Sequence, residues 1–145
     1  QRTGQKLLAK KGELNRMEEI LQSGGIVCTL GDQDAGQNGM YVDFFGRPAS
    51  THKAMALLAL RCRALIVVAG ARRLPGLLRY ELAVEDVIDA EQLGDAPGVV
   101  KALTQRLTSA LERMVRVDPR QYLWLHRRWK HQPIARVKPA ASRAA

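Results

Sequence analysis

Acidic residues and histidines are the side chains of this sequence that could carry catalysis. Asp32 and Asp34 stand two positions apart in a polar, glycine-containing stretch, and paired carboxylates can bind a cation or take part in acid–base chemistry. A solvated turn explains the same spacing, because Asp and Gly are common in turns for backbone reasons. No third or fourth ligand can be named, so we expect no metal and no other cofactor.

The three histidines, His52, His126 and His131, are the natural candidates for a general base. Ser50 and Thr51 stand beside His52, but neighbours near a helix start rarely form a catalytic hydrogen bond, and no G-x-S-x-G elbow is present. For Ser50 and Thr51 we therefore expect a helix-capping role.

Two arginines offer a different chemistry. Arg72 and Arg73 follow an apolar run that ends near Ala71, and the guanidinium fork matches the oxygens of a phosphate group. Ordinary surface arginines before a turn explain the pair equally well.

Residues 119–130 hold two Trp, one Tyr, one His and four cations. One interpretation is structural, with Tyr122, Leu125 and Trp129 packed on the domain while Arg127 and Arg128 stay in solvent. The other places Trp124 and Trp129 at a membrane interface, with the arginines on anionic headgroups. Nucleic acid is a weaker candidate, because no recognised nucleic-acid motif accompanies the aromatic and basic residues.

The chain has 145 residues, of which 46% are apolar and 26% charged, and this composition indicates one globular domain. Its net charge is +9, and residues 113–145 carry nine Lys or Arg against the single acid Asp118. Such a segment attracts nucleic acid or anionic lipid, although a solvated helix face is an equal alternative. Cys28 and Cys62 lack disulfide or ligand spacing, so we expect buried free thiols. The longest apolar run, residues 64–71, is too short to cross a bilayer.

Local patterns predict an α/β fold with a partial parallel or mixed sheet flanked by helices. Apolar residues at helical spacing indicate helices over residues 13–21, 49–63 and 99–117. Asp118 as N-cap and Pro119 at the first helical position predict a short C-terminal helix to about Arg127.

Two short apolar runs, residues 26–30 and 64–68, are typical of interior parallel strands joined by a helical crossover. Residues 79–85 alternate between apolar and polar types, which predicts a half-exposed strand. The polar stretch 31–39 leaves the carboxyl end of the first strand, where ligand sites lie in open α/β sheets.

The segment P-R-Q-Y-L-W-L-H-R-R-W-K at residues 119–130 resembles the C-terminal signature of the bacterial lipid A biosynthesis acyltransferases, P-x-Q-Y-x-W-x-H-R-R-[WF]-[KR]. A second match, D-Q-D-A-G at residues 32–36 followed by Y-V-D-F-F-G-R-P-A at residues 41–49, has the spacing of that family. The resemblance implies a fold like that of the glycerolipid acyltransferases. Residues 1–130 are then the C-terminal part of an acyltransferase domain, and residues 131–145 a flexible basic tail.

In that family the general base is a His followed five positions later by Asp or Glu. The residues five positions after the three histidines here are Leu57, His131 and Arg136, and none is acidic. The resemblance therefore implies that the catalytic pair lies upstream of this sequence. We expect the chain alone to be inactive, with no catalytic residue of its own.

The function that the resemblance implies is transfer of a fatty acyl chain from an acyl carrier protein thioester, or a coenzyme A thioester, to a hydroxyl of a lipid A precursor or related glycolipid. The acyl transfer would take place at the cytoplasmic face of the inner membrane. The expected partners include an anionic membrane surface, and no nucleic acid is expected among them. The expected substrate-binding residues are Asp32, Gln33, Asp34, Gly36, Arg72 and Arg73, and the expected anchor residues are Trp124, Arg127, Arg128 and Trp129. The alternative is a non-catalytic basic module that binds anionic membrane or nucleic acid.

Overall fold

The structure is a computed structural model that describes residues 4–9, 12–94 and 96–133. Its elements, in chain order, are α1 (Leu14–Gln22), β1 (Met40–Phe44), β2 (Arg47–Thr51), α2 (Ala54–Cys62), β3 (Leu65–Arg73), β4 (Tyr80–Asp89), a 3₁₀ turn at Glu91–Leu93, α3 (Val99–Val117) and a second 3₁₀ turn at Pro119–Gln121. Each of the two sheets in this part of the chain is a two-stranded antiparallel hairpin, β1 with β2 and β3 with β4.

Helix α3 is the element against which both hairpins pack. Its apolar residues recur at steps of three and four, so that Leu103, Leu107 and Ala110 lie on one buried face. These three residues form a core cluster with Ala56 of α2 and with Val68 and Ile88 of the β3–β4 hairpin. The predicted bounds of this helix, residues 99–117, are confirmed.

The β1–β2 hairpin turns through Phe45 and Gly46, both of which have positive φ, at 55° and 72°. A two-residue turn with this backbone matches the twist of the flanking strands. The hairpin is bound to α3 through Gln105, whose side chain accepts a hydrogen bond from the Asp43 N–H at 2.7 Å and donates one to the Asp43 carbonyl at 3.0 Å. Glu112 of α3 accepts a further bond from the Phe45 N–H.

The predicted parallel sheet is wrong. Strand β3 contains residues 65–68 of the predicted strand 64–68, but it pairs antiparallel with β4, from Leu65 opposite Asp89 to Arg73 opposite Tyr80. The cause is the connection between β3 and β4, which contains Pro75 and Gly76 and is too short for a crossover, so the chain returns as a hairpin. The predicted strand over residues 79–85 is confirmed and continues to Asp89.

Residues 26–30 do not form the predicted first strand. They have irregular backbone, and Ile26 and Leu30 are 86% and 78% exposed. Among the described residues no strand pairs with them, and an apolar run without a partner strand cannot form a ladder. For the same reason Cys28 is exposed, where the sequence predicted a buried thiol, while Cys62 is partly buried and also free.

The segment before α2 also differs from its prediction. Ser50 and Thr51 are buried residues of β2 and do not cap the helix, which begins later, at Ala54, with Lys53 at the N-cap position. The C-terminal helix predicted to reach Arg127 ends after one 3₁₀ turn, because Tyr122 is already extended. Its predicted start is confirmed, since the Asp118 carboxylate accepts the Arg120 N–H.

Candidate functional site

The loop at residues 32–36 and the segment 119–131 contact each other directly, although nearly a hundred residues separate them in the sequence. Asp34 is at the centre of this contact. Its Oδ2 lies 2.6 Å from Nδ1 of His131 and accepts the Gly36 N–H at 3.0 Å, while its own N–H donates to Nε2 of His126 at 2.9 Å. The two regions that the sequence singled out independently therefore form one site, which we call the Asp34 site.

The hydrogen bonds assign the roles of the two imidazoles. Nε2 of His126 accepts a hydrogen bond from the Asp34 N–H, so this nitrogen carries no proton in this arrangement. His131 directs Nδ1 at an ionised carboxylate, which accepts hydrogen bonds, so Nδ1 carries a proton. Nε2 of His131 is then the nitrogen left for a further hydrogen bond or a proton transfer. The carboxylate of Asp34 therefore fixes the orientation of the His131 imidazole.

The Asp34 carboxylate is held in its charged form. Burial by itself disfavours that form, but the hydrogen bonds from His131 and from the Gly36 N–H, together with the charges of His131 and Arg128, outweigh burial and lower the pKa of Asp34 below its ordinary value. Its side chain is only 8% exposed. The second oxygen, Oδ1, is buried and has no hydrogen-bond partner among the described residues. A buried acceptor without a donor is costly, so a hydrogen-bond donor that reached Oδ1 would be bound favourably.

Arg128 is the largest fully buried side chain of the described structure, at 2% exposure. Its guanidinium donates to the Ser50 carbonyl and to Oγ1 of Thr51, and it lies over the ring of Phe44, with Cζ 5.4 Å from the ring centroid. The expectation that Arg128 stays in solvent is therefore wrong. Buried charge needs hydrogen-bond partners, and the carbonyl and hydroxyl of β2 supply them.

Aromatic side chains surround this arginine. Phe44 of β1 is 1% exposed and stacks obliquely with Trp129, with centroids 5.6 Å apart, and with Tyr122 at 6.2 Å. Tyr122 in turn donates from its hydroxyl to the Asp32 carbonyl, and burial raises the pKa of that phenol. Trp129 and Tyr122 thus pack on the domain as the structural interpretation expected.

The remaining loop residues contribute through their backbone. Gly36 has φ of 78°, a conformation that favours glycine, and its carbonyl accepts the Ser50 hydroxyl. The Ala35 N–H donates to the Ser50 carbonyl at 3.1 Å. Asp32 and Gln33 are partly buried in the same loop. Four of the six expected substrate-binding residues, Asp32, Gln33, Asp34 and Gly36, therefore lie together in the Asp34 site.

Arg72 and Arg73 lie elsewhere, at the end of β3. Arg72 pairs with Glu81 on the neighbouring strand, and Arg73 is held through its backbone by Gln121, which accepts the Arg73 N–H at 2.8 Å and donates to its carbonyl at 3.0 Å. Within the described ranges no hydrogen bond or ion pair joins either arginine to the loop at residues 32–36.

The outer side of the C-terminal segment is exposed. Trp124 is 47% exposed and donates from its indole N–H to the Pro119 carbonyl at 2.7 Å, while Leu125 is 90% exposed and Arg127 also faces solvent. The expectation that Leu125 packs on the domain is wrong. Of the four expected anchor residues, Arg128 and Trp129 pack inward, and Trp124 and Arg127 remain on the surface.

Among the described residues, no cluster of three or more His, Cys, Asp or Glu is placed to hold a metal ion. In the same part of the chain, no helix combines the length and the apolar character needed to span a bilayer.

The sequence patterns missed the partners of Asp34. The contact between Asp34 and His131 joins residues 97 positions apart, and no local periodicity carries that information. The one available signal was position in the sequence. His126 lies within the segment 119–130 and His131 directly follows it, and both this segment and the loop at residues 32–36 match motifs of the same family.

Comparison with known proteins gives two findings. The family model described as bacterial lipid A biosynthesis acyltransferase matches residues 1–131. The chain is similar to the lipid A biosynthesis lauroyltransferase of Escherichia coli (strain K12), with 28% identity over 134 residues. That alignment covers 91% of this chain and 42% of the relative, so the chain spans less than half the length of the curated protein that it matches.

Proposed function

The chain belongs to the bacterial lipid A biosynthesis acyltransferase family, and on that basis we propose that it is the acceptor-binding part of an enzyme that transfers a fatty acyl chain to a hydroxyl of a lipid A precursor or related glycolipid. The donor in this proposal is an acyl carrier protein thioester. The sequence has no His with an acid five positions later, so the proposal leaves proton abstraction to residues outside this chain and expects the chain alone to be inactive.

The observation that carries the proposal is the Asp34 site. The two motifs that relate this chain to the family bind each other through Asp34, His126 and His131. A loop held at several points keeps its polar atoms in fixed positions, and this preorganisation is what a binding site for a reacting hydroxyl requires. In the proposed complex, Oδ1 of Asp34 accepts a hydrogen bond from the glycolipid.

The arginines at the end of β3 would contact the phosphate of the acceptor. A phosphate would compete with Glu81 for the guanidinium of Arg72, whereas Arg73 is an exposed residue whose backbone is fixed by Gln121. We therefore expect Arg73 to make the stronger contribution to phosphate binding.

The C-terminal segment would rest on an anionic membrane surface at the cytoplasmic face of the inner membrane. Leu123, Trp124 and Leu125 are 63%, 47% and 90% exposed in consecutive positions, and Arg127 and Lys130 lie close by in the sequence. Exposed apolar residues beside cations are suited to the headgroup region of a bilayer.

A chimaera tests the proposal. The matching region of the Escherichia coli lauroyltransferase is replaced by this chain, and transfer of a labelled acyl group from acyl carrier protein to a lipid A precursor is measured. We expect activity in the chimaera, and a loss of about a hundredfold for Asp34→Asn, because the amide removes the charge that orients His131 and the acceptor. Asp89→Asn, on the far end of β4, is the matched control and should leave the rate unchanged.

Two results would count against this function. Full activity of the Asp34→Asn chimaera would remove the Asp34 site from the mechanism. An inactive chimaera that is folded and membrane-associated would count against acyl transfer by this chain.

The alternative, a basic module without catalysis, has less support. Of the cations between residues 113 and 133, Arg113, Arg116 and Arg120 pair with acidic side chains and Arg128 is buried. The charge excess of the sequence is therefore only partly available at the described surface, and an unpaired basic patch is what such a module needs.

A further inference from the structure

The turn that joins β3 to β4 carries apolar side chains into solvent. Leu77 and Leu78 are 87% and 77% exposed. They lie at the end of the hairpin opposite to the pair formed by Leu65 and Asp89. A single exposed leucine is common on a protein surface, whereas consecutive leucines at a projecting turn are suited to an apolar partner. We call residues 74–79 the hairpin tip.

The backbone of the hairpin tip does not favour a leucine at position 78. The turn is closed by a hydrogen bond from the Leu74 N–H to the Arg79 carbonyl, at 2.9 Å. Leu78 has φ of 54°, in the left-handed region that glycine and asparagine adopt at lower cost. Its side chain is largely exposed, so packing within the described structure does not offset that cost. Backbone strain of this kind is found at functional positions, which makes the Leu78 side chain a candidate contact for a partner.

The charges of this turn are all positive. Residues 72–79 contain three arginines and no acidic residue. Arg72 is paired with Glu81, whereas within the described ranges neither Arg73 nor Arg79 pairs with an acidic side chain, and both are exposed. Arginines beside protruding leucines complement a surface that holds phosphate groups above hydrocarbon. The surface of an anionic bilayer has this character.

The C-terminal segment lies beside the same end of the hairpin. Gln121 accepts the Arg73 N–H at 2.8 Å and donates to the Arg73 carbonyl at 3.0 Å. The exposed run of Leu123, Trp124 and Leu125 begins two positions after Gln121. Two exposed apolar groups, each accompanied by cations, therefore extend from one hydrogen-bonded contact.

We propose that the hairpin tip is a membrane-contact site, in which Leu77 and Leu78 enter the headgroup region of an anionic bilayer. Arg79 binds lipid phosphate beside them. Tyr80 is exposed and paired with Arg73 across the hairpin, and its ring, apolar with a polar end, suits the same depth. Lipid contact at the tip follows from these side chains alone. That the tip and the C-terminal segment hold an acyltransferase on one membrane surface rests on the proposed function.

The experiment measures co-sedimentation of the 145-residue chain with vesicles of equal parts phosphatidylglycerol and phosphatidylcholine. We expect Leu78→Asn to weaken binding by about tenfold, because it removes an apolar side chain from the lipid. Asparagine tolerates the left-handed backbone, so the variant keeps the turn and its urea unfolding midpoint should not fall. Arg79→Gln should weaken binding by about fivefold, and high salt should abolish this difference.

Leu30→Asn is the matched control. Leu30 is 78% exposed, as Leu78 nearly is, but it precedes Gly31 and Asp32 and has no neighbouring cation in the sequence. This variant should bind the vesicles as the native chain does. Bicelles that contain a nitroxide-labelled lipid give a second measurement, in which the amide NMR signals of residues 76–79 should broaden more than that of Leu30.

The proposal is overturned if the native chain does not bind the vesicles, if either tip variant binds as the native chain does, or if the amide signals of the tip do not broaden. Unchanged vesicle binding of Leu78→Asn with weaker binding of acyl carrier protein would instead make the tip a docking site for a protein. An equal loss in Leu30→Asn would remove any particular role of the tip. Vesicle binding is measured without acyl transfer, so its failure is distinguishable from a failure of the chimaera.

Discussion

Arg128 shows why the basic segment cannot be understood from its charge alone. Arg128 is 2% exposed, so its guanidinium has lost its hydration, and this burial lowers its pKa. The guanidinium N–H groups instead donate hydrogen bonds to the Ser50 carbonyl and the Thr51 hydroxyl on β2. Arg127, one position earlier, remains in solvent. Neighbouring arginines of one motif therefore have different surroundings: Arg128 joins the C-terminal segment to the β1–β2 hairpin, and Arg127 is exposed on the surface.

The pairing of Asp34 with His131 predicts how the site responds to acid. Because the folded state lowers the pKa of Asp34, its charged form stabilises the fold above the ordinary value of 3.8, and this contribution is lost as the pH falls below that value through the folded pKa. His131→Gln removes one of the hydrogen bonds and charges that lower the pKa. We expect the pKa of Asp34 to rise toward its ordinary value, as measured by NMR of the carboxyl carbon.

Asp86 provides the internal control for that titration. Its pKa is lowered chiefly by the hydrogen bond from Arg106, which lies on α3 and has no contact with His131. The His131→Gln variant should leave the titration of Asp86 unchanged. An unchanged Asp34 pKa in the variant would contradict the role assigned to His131.

At the scale of elements, two glutamines fix the hairpins to the C-terminal half of the chain. Gln105 binds both backbone groups of Asp43, and Gln121 binds both backbone groups of Arg73. Each side chain thus satisfies the free edge of a strand in the way that a neighbouring strand would. In the described structure these side-chain contacts, and no further strand, pair with the backbone of Asp43 and Arg73 at the strand edges.

Replacement of Gln121 by Leu tests this explanation. The variant leaves the Arg73 N–H and carbonyl without their partner, so we expect a loss of about 1–2 kcal/mol in the free energy of unfolding. Urea unfolding measures the loss, and amide hydrogen exchange at Arg73 should become faster. Gln37→Leu, at an exposed loop position, is the control, and an equal loss there would assign the effect to the added apolar surface.

The elements that could be predicted from the sequence are those whose pattern is local. The period of α3 is set by which face is buried, and its bounds were predicted correctly. The strand β4 was also predicted correctly, although its apolar residues Leu82 and Val84 are exposed. The direction of β3 and the absence of a strand at residues 26–30 depend on partners distant in the sequence, and these predictions were wrong. The Asp34 loop was predicted as a site, but its histidine partners required the tertiary structure.

At the scale of the whole molecule, the β3–β4 hairpin has an apolar face on each side and only one is covered. The inner face packs on α3 through Val68 and Ile88. On the outer face, Leu65, Val67 and Val84 are 65%, 56% and 58% exposed. A single hairpin is marginally stable in water without packing, so contact with α3 is what holds this sheet together.

The exposed outer face predicts strong binding of a hydrophobic dye to the folded chain. We expect ANS fluorescence under native conditions with cooperative urea unfolding, which distinguishes a folded protein with an apolar surface from a molten globule. Val67→Thr combined with Val84→Thr keeps β-branched side chains in both strands and should lower the fluorescence by about half. Leu125→Thr, at a 90% exposed position outside the hairpin, should have a smaller effect, because an isolated side chain offers the dye no continuous surface. Equal effects of the two changes would mean that the hairpin face is not the principal apolar surface of the chain.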